Sequence, residues 1–135
     1  ARAAQGELDA QLAAGDVLIQ PFLPAIVDEG ELSLLYIGGA LSHAVLKRAK
    51  PGDIRVQPQH GGLPELVDPP PEAVAVADRV LAAVDADLLY ARVDLVRARD
   101  GTLRLIELEV IEPLLFLELH EPAAAKLAAA IADRL

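Results

Sequence analysis

Apolar residues recur along this chain with two different periods. Tyr90-Ala-Arg-Val-Asp-Leu-Val-Arg97 and Leu103-Arg-Leu-Ile-Glu-Leu-Glu-Val-Ile111 alternate apolar and polar positions, the pattern of half-buried strands. Asp100-Gly101 lies between them, and both residues tolerate positive φ, so the dipeptide predicts a hairpin with a two-residue loop. In that register Arg99 pairs with Thr102, Asp94 faces Glu107 and Arg92 faces Glu109. Tyr90, Arg92, Val96, Leu105 and Ile111 then share the face of the three acids. Ala91, Val93, Leu95, Ile106, Leu108 and Val110 form the opposite, apolar face.

Two more stretches read as extended. Glu31 to Ile37 and Ala40 to Lys47 predict a second hairpin around Gly38-Gly39. Val17 to Phe22 predicts a buried strand, stopped by Pro21 and Pro24. The helical period appears three times. Leu8 and Leu12 mark a helix over Gln5 to Ala14 that Gly15 ends. Pro71 opens a helix striped by Val76, Val80 and Val84, with Leu81 alongside. Pro122 opens a last helix with Leu127, Ile131 and Leu135 on one face. From Ala49 to Pro70, five prolines and three glycines predict a long loop with at most short extended pieces. Glu112 to His120 reads as irregular. Helices alternating with hairpin-linked strands predict an α+β fold, a mainly antiparallel sheet covered by helices.

Composition narrows the function classes. The 135 residues fit one domain or a piece of a larger one. With 53% hydrophobic residues the chain is a folding sequence, and with 3% aromatics its core must come from Leu, Val, Ile and Ala. The net charge of -9 argues against nucleic-acid or anionic-membrane partners, which reward clustered Lys and Arg. Without cysteine there is no disulfide or thiolate metal site, which is compatible with a cytoplasmic location. No apolar run approaches the ~18–20 residues of a membrane helix. The lack of any Met, even at position 1, reads as a fragment of a longer protein.

The candidate chemistry lies on the acidic hairpin face. Directly opposed side chains have Cβ atoms roughly 4.5–5.5 Å apart, and like charges there are unfavourable. Asp94 opposite Glu107, with Glu109 two residues along, therefore predicts a bound divalent cation. Oxygen donors without His or Cys favour magnesium or manganese, for which a nucleotide phosphate is a natural companion. The plainer alternative is a solvated face whose acids pair with Arg92, Arg97, Arg99 or Arg104. Lys47, Arg48, Lys50 and Arg55 flank Pro51-Gly-Asp53, a basic loop suited to closing over phosphates or merely balancing the surface. Gly61-Gly62 is either a phosphate nest or a plain turn. His43, His60 and His120 lack metal-ligand spacing and read as structural or exposed. Ser33 and Ser42 have no base placed by sequence.

Taken in order, these segments resemble the C-terminal half of the catalytic domain in the ATP-grasp superfamily, in the branch of ribosomal protein S6 modification enzymes and bacterial glutathione synthetase. Leu18-Ile-Gln-Pro-Phe-Leu23 is similar to the hinge whose backbone reads adenine, and Gly30-Glu31 to the acidic position holding the ribose hydroxyls. Lys47-Arg48 and Lys50-Pro-Gly-Asp-Ile-Arg55, running on to Gly61-Gly62, resemble the basic strand and the loop over the phosphates. Arg92-Val-Asp94 and Ile106-Glu-Leu-Glu109 resemble the Arg-x-Asp and Glu-x-Asn strands that bind magnesium. The last metal position is Glu109 where relatives usually have Asn, and Ile111-Glu-Pro-Leu-Leu115 replaces a Ser/Thr-Pro-Gly-type turn near substrate.

The resemblance implies a carboxylate–amine (or thiol) ligase that uses ATP and Mg2+ (or Mn2+), forms an acyl phosphate and releases ADP. ATP contacts fall to Gln20, Pro21, Phe22, Leu23, Glu31, Lys47 and Arg48; metal ligation to Asp94, Glu107 and Glu109; and catalytic cations to Arg92 and Arg55. Homo-oligomers are common among such enzymes. The N-terminal substrate domain and the first ATP-binding subdomain would lie outside this chain, leaving the isolated chain without turnover. The alternative is a degenerate nucleotide-binding module that never turns over. A metal-independent hydrolase using paired acids ranks last, because so few aromatics leave no platform for a sugar ring.

Overall fold

The computed structural model describes residues 2–57 and 61–135. Helix α1 (Arg2–Ala14) and one turn of helix α2 (Ala25–Asp28) precede strands β1 (Glu31–Ile37) and β2 (Ala40–Arg48). Strand β3 (Leu63–Val67), helix α3 (Pro71–Ala82), strands β4 (Tyr90–Arg97) and β5 (Leu103–Glu109), and helix α4 (Glu121–Ala132) follow. The five strands form one sheet in the order β3-β2-β1-β4-β5, with every pairing antiparallel. This is the α+β arrangement that the alternating pattern predicted.

Period-two alternation gives the sheet two different faces. On one, Leu34, Tyr36, Ala44, Ala91, Val93 and Leu95 pack against Ala73 and Ala77 of α3. Val76 and Val80 of the expected stripe flank that contact, Val84 lies beyond the helix end, and the two alanines occupy its centre. Small side chains let the helix lie close to the strands. Tyr36 donates to Asp78 across this seam at 2.7 Å, and burial together with that carboxylate pushes the phenol above its ordinary range.

The other face is apolar at only one end. There Leu35 and Val45 bury Phe116, and Ile37 packs on Ala123 and Ala130 of α4. Leu127 joins this contact, but Ile131 and Leu135 are exposed, so the buried stripe of α4 differs from the expected one. Toward the opposite end the same face turns polar.

Two sequence expectations need correction. Val17 to Phe22 is irregular and has no ladder partner among the described residues; Leu18 is 87% exposed. Pro21 and Pro24 deprive this stretch of donors, and a short apolar run does not by itself specify a strand. The long Pro- and Gly-rich segment contains one of the short extended pieces that the sequence allowed for: Leu63–Val67 pairs with β2 as an edge strand, a position that tolerates Pro64.

The second correction concerns the hairpin. Ala98 donates to Thr102 O at 2.8 Å and Gly101 to Ala98 O at 3.0 Å, so the loop has three residues, Arg99-Asp100-Gly101. Gly101 takes the left-handed conformation (φ 82°) that this turn requires. The register beside the turn is therefore one residue off expectation, with Leu95 opposite Leu105. An extra residue in β5, a bulge at Ile106, restores it. Beyond the bulge Asp94 faces Glu107 and Arg92 faces Glu109, as expected. Leu105 and Ile106 have exchanged faces: Leu105 pairs with core-facing Leu95, and Ile106 lines the cleft on the acidic side.

Candidate functional site

Alternation along four neighbouring strands places Glu31 and Ser33 (β1), Lys47 (β2), Arg92 and Asp94 (β4), and Glu107 and Glu109 (β5) on the face away from α3. Asp94 is the centre of this group and is completely buried. It accepts hydrogen bonds from Ser33 Oγ at 2.6 Å, Lys47 Nζ at 3.3 Å and Arg92 Nε at 3.0 Å. Arg92 Nη2 continues to Glu109 Oε1 at 2.7 Å and Glu107 Oε2 at 3.2 Å. Lys47 also bridges to Glu31. Among the described residues no buried side-chain nitrogen or oxygen lacks a partner.

The charges do not balance. Glu31, Asp94, Glu107 and Glu109 share only Lys47 and Arg92, leaving two carboxylates in excess. The surplus appears in the titration of the acids. Burial, then the charges of Glu109 and Asp94, push the Glu107 carboxyl above its ordinary range despite Arg92. Burial also raises Glu31, with Lys47 opposing and Asp94 adding to the rise. Burial acts to lower Arg92, but Asp94 and Glu109 outweigh it and hold the guanidinium more firmly charged.

Beside this network lies a cleft of about 430 Å³. Gln20, Pro21, Phe22, Leu23 and Ile54 form its outer wall, and Glu31, Val96, Ile106 and Glu107 its floor. Gly30 sets the entry to this floor. It has φ 99°, and a Cβ there would lie 2.6 Å from the Lys47 carbonyl oxygen, so only glycine lets Glu31 begin its strand against β2.

The structure gathers ten of the twelve residues to which the sequence assigned roles around this cleft and network: Gln20, Pro21, Phe22, Leu23, Glu31, Lys47, Arg92, Asp94, Glu107 and Glu109. Two lie elsewhere. Arg48 follows Lys47 and so points to the other face, where it pairs with Glu65 at 3.0 Å. Arg55 is clamped by Asp53 in an exposed turn, and its hydrogen bonds hold the Asp53 carboxyl well below the carboxylate range.

The acids do not stand together as an open trio. Among the described residues no three His, Asp or Glu side chains form a metal-holding group, because Arg92 and Lys47 lie between them. In this respect the plainer sequence alternative, acids paired with Arg92, describes the observed contacts. Arg97 serves Glu29, Glu72 and the Gly101 carbonyl instead, and Arg104 serves Asp100.

At Gly61-Gly62, the Gly62 amide donates to the Gln57 carbonyl, and a Cβ there would meet Val56 O at 1.8 Å. That amide is spent on the Gln57 carbonyl. His43 is a buried pin: Nε2 donates to Leu115 O at 3.0 Å, and the ring stacks on His120 with centroids 5.0 Å apart. His60 lies outside the described residues. Sequence reasoning missed Ser33, whose role follows from β1 lying beside β4. Its position two residues after Glu31 on an alternating strand was the available signal.

No protein-family model matches the chain. The cycloserine biosynthesis protein DcsG of Streptomyces lavendulae is 35% identical over 128 residues, covering 88% of this chain and 42% of DcsG. The crystal structure of the D-cycloserine synthetase DcsG superposes with a TM-score of 0.71 at 32% identity, over 85% of this chain and 41% of that one. The D-alanine–D-alanine ligase of Bacillus anthracis, solved with ATP, superposes with a TM-score of 0.52 at 20% identity, over 76% of this chain and 36% of that one, and bears on the fold alone. The chain thus spans about two fifths of each relative. The shared antiparallel sheet with its flanking helices gives this chain the ATP-grasp fold.

Proposed function

We propose that this chain carries the nucleotide-facing sheet of an ATP-dependent carboxylate–amine (or thiol) ligase that proceeds through an acyl phosphate and releases ADP. The observation that carries this reading is the junction of a half-apolar cleft with a face holding two carboxylates beyond its cations. An adenine ring fits the Gln20–Leu23 wall and Ile106, and Glu31 lies where ribose hydroxyls would follow. The synthetase name of DcsG supports the class of reaction. The narrower likeness to ribosomal protein S6 modification enzymes and glutathione synthetase rests on the Lys47-Arg48 and Lys50–Arg55 motifs alone.

The residues present suit a hard divalent cation, since the donors are all carboxylate oxygens with surplus negative charge. Glu107 and Glu109, whose side chains are 52% and 30% exposed, are the accessible ligands. Asp94 would join them if its contact with Arg92 were exchanged. Bound there, such a cation would supply charge neutralisation to the phosphates of a nucleotide. Arg92, released toward the cleft, stabilises negative charge on the transferring phosphoryl group. Lys47 keeps Glu31 and Asp94 in place, and Arg55 reaches the phosphates only through movement of its loop.

One observation favours a second reading. Asp94 is saturated by Ser33, Lys47 and Arg92, as a nucleotide-binding module without turnover would need for stability alone. ADP release by the longer protein containing this chain, assayed with a panel of amino acids and hydroxy acids, separates the two. Turnover that requires both a carboxylate and an amine supports the ligase; nucleotide binding without turnover supports the module. The isolated 135 residues are expected to bind nucleotide without ligase turnover.

A further inference from the structure

The outer wall of the 430 Å³ cleft is only lightly seated on the rest of the molecule. It is carried by residues 16–29, which lie between α1 and β1. None of these residues is buried, and none joins the apolar clusters on either face of the sheet. Their backbone hydrogen bonds are local. Ile26 donates to Leu23 O at 3.1 Å, Val27 to Pro24 O at 2.9 Å, and Glu29 and Gly30 to Ala25 O at 2.7 and 2.9 Å. Pro21 and Pro24 fix φ at two further points. The wall is therefore stiff within itself, with little to hold it against the sheet.

One polar link crosses from this stretch to the sheet. Arg97 Nε donates to Glu29 Oε2 at 3.2 Å, and among the described residues no other side chain from 16 to 29 makes a hydrogen bond or ion pair. Arg97 is itself held from two more sides. Its Nη2 donates to Glu72 Oε1 at 2.9 Å in the first turn of α3, and its Nη1 to Gly101 O at 2.7 Å in the turn between β4 and β5. One guanidinium thus joins a strand, a helix start and a turn, and offers its remaining donor to the end of the wall. A stiff wall fastened at a single point takes its distance from the floor of Val96, Ile106 and Glu107 from that point.

We propose that the Glu29–Arg97 pair is the fastener that sets the width of this cleft, with Arg97 as a positioning residue for the ligand that the wall touches. The inference rests on the nucleotide reading for the identity of that ligand, while the fastening itself stands on the geometry. Arg97 meets no ligand and acts through Glu29. The two side chains are 33% and 56% exposed, so the pair is open to screening by salt and can break and re-form. Opening lets the wall swing out to admit a ligand; re-forming sets the wall against it.

The chain has no cysteine, so a pair of thiol labels reports on chosen positions alone. Spin labels at Leu18→Cys on the wall and Ala128→Cys on α4, both exposed, give the wall-to-body distance by double electron–electron resonance. The parent pair is expected to show a narrow distribution, and Glu29→Gln and Arg97→Gln to broaden it. Glu72→Gln removes an ion pair from the same guanidinium without touching the wall, and should leave the distribution narrow. Titration of the unlabelled chain with ATP and magnesium chloride should show about threefold weaker binding for Glu29→Gln, the scale of one exposed ion pair, and parent affinity for Glu72→Gln. A merely structural role for Arg97 would move both variants alike. An unbroadened Glu29→Gln, equal broadening by Glu72→Gln, or broadening with ATP affinity unchanged would each overturn the proposal. A parent without any ATP response sinks the nucleotide reading, and the distance distributions then decide the fastener by themselves.

Discussion

Asp94 stands opposite Glu107 on adjacent strands, and the guanidinium of Arg92 bonds both. The pairing survives a turn longer than expected only because β5 carries a bulge at Ile106. Arg92 is therefore the residue on which the folded state of the site depends.

Replacing Arg92 with leucine leaves a buried carboxylate at 94 and two neighbours without their shared cation. Breaking a buried pair by removing one partner costs about 3–5 kcal/mol. Arg92→Leu should lower urea-unfolding stability toward that range near neutral pH. A loss under about 1 kcal/mol would mean that Lys47 and Ser33 hold Asp94 by themselves.

Ser33 donates a 2.6 Å hydrogen bond to the same carboxylate, with both groups fully buried. Hydrogen bonds to charged groups contribute about 1.5–3 kcal/mol. Ser33→Ala should cost about 2 kcal/mol by denaturant melts while leaving the secondary structure seen by circular dichroism unchanged.

Glu107 carries both the metal prediction and the pH prediction. Glu107→Gln should abolish the thermal shift produced by magnesium with ATP, and in metal-free buffer it should melt at or above the parent temperature, because an opposed like charge is gone. An intact metal response in this variant would remove Glu107 from the ligand set. The pH dependence follows from its raised carboxyl. In the folded chain Glu107 holds its proton to higher pH than the ordinary 4.5 of the unfolded chain, so the folded state binds more protons above that value. Stability from this group is thus present at low pH and lost as pH rises from about 4.5 through the folded value. Melts of the parent against Glu107→Gln over that range should converge at the acid end and separate above it, with the variant the more stable.

His43 works in the opposite sense. Burial lowers its pKa from the ordinary 6.5, so the unfolded chain takes up the proton first and stability should fall as pH drops below about 6.5. The bond to Leu115 O favours the protonated ring, but burial and the nearby His120 and Lys126 oppose the charge, and the loop that the ring pins should loosen as the proton is taken up. Faster amide exchange in residues 111–116 at pH below 6 than the chemistry of exchange alone predicts would show this; uniform exchange across the sheet would refute it.

Gly30→Ala tests the backbone at the site's entrance. The new Cβ would meet Lys47 O at 2.6 Å in a conformation (φ 99°) that L-residues avoid. A loss of about 2–3 kcal/mol is expected, and a near-neutral result would mean that β1 can separate from β2 at its start.

Much of this protein was legible without coordinates. The hairpins at Gly38-Gly39 and Asp100-Gly101 and the helices at Pro71 and Pro122 follow from period, turn chemistry and residue type, which are local properties, whereas the opposition of Asp94 to Glu107 was read from a two-residue loop and holds only because the bulge offsets the longer turn. The ordered motifs also pointed to the ATP-grasp fold that the relatives support. What remained hidden was non-local. Ser33 and Lys47 reach Asp94 only because β1 lies between β2 and β4, an ordering that no window of sequence encodes. The face of Ile106 depended on a bulge, and in a sheet a shift of one residue reverses every side chain beyond it. The irregular course of Val17 to Phe22 depended on whether a strand edge was there to pair with it. Pattern settles which residues seek burial and which faces they share along one element. Only the packed sheet decides which charges meet across elements, because that follows from strand order and register, where the distances of a few ångströms that govern ion pairing are set.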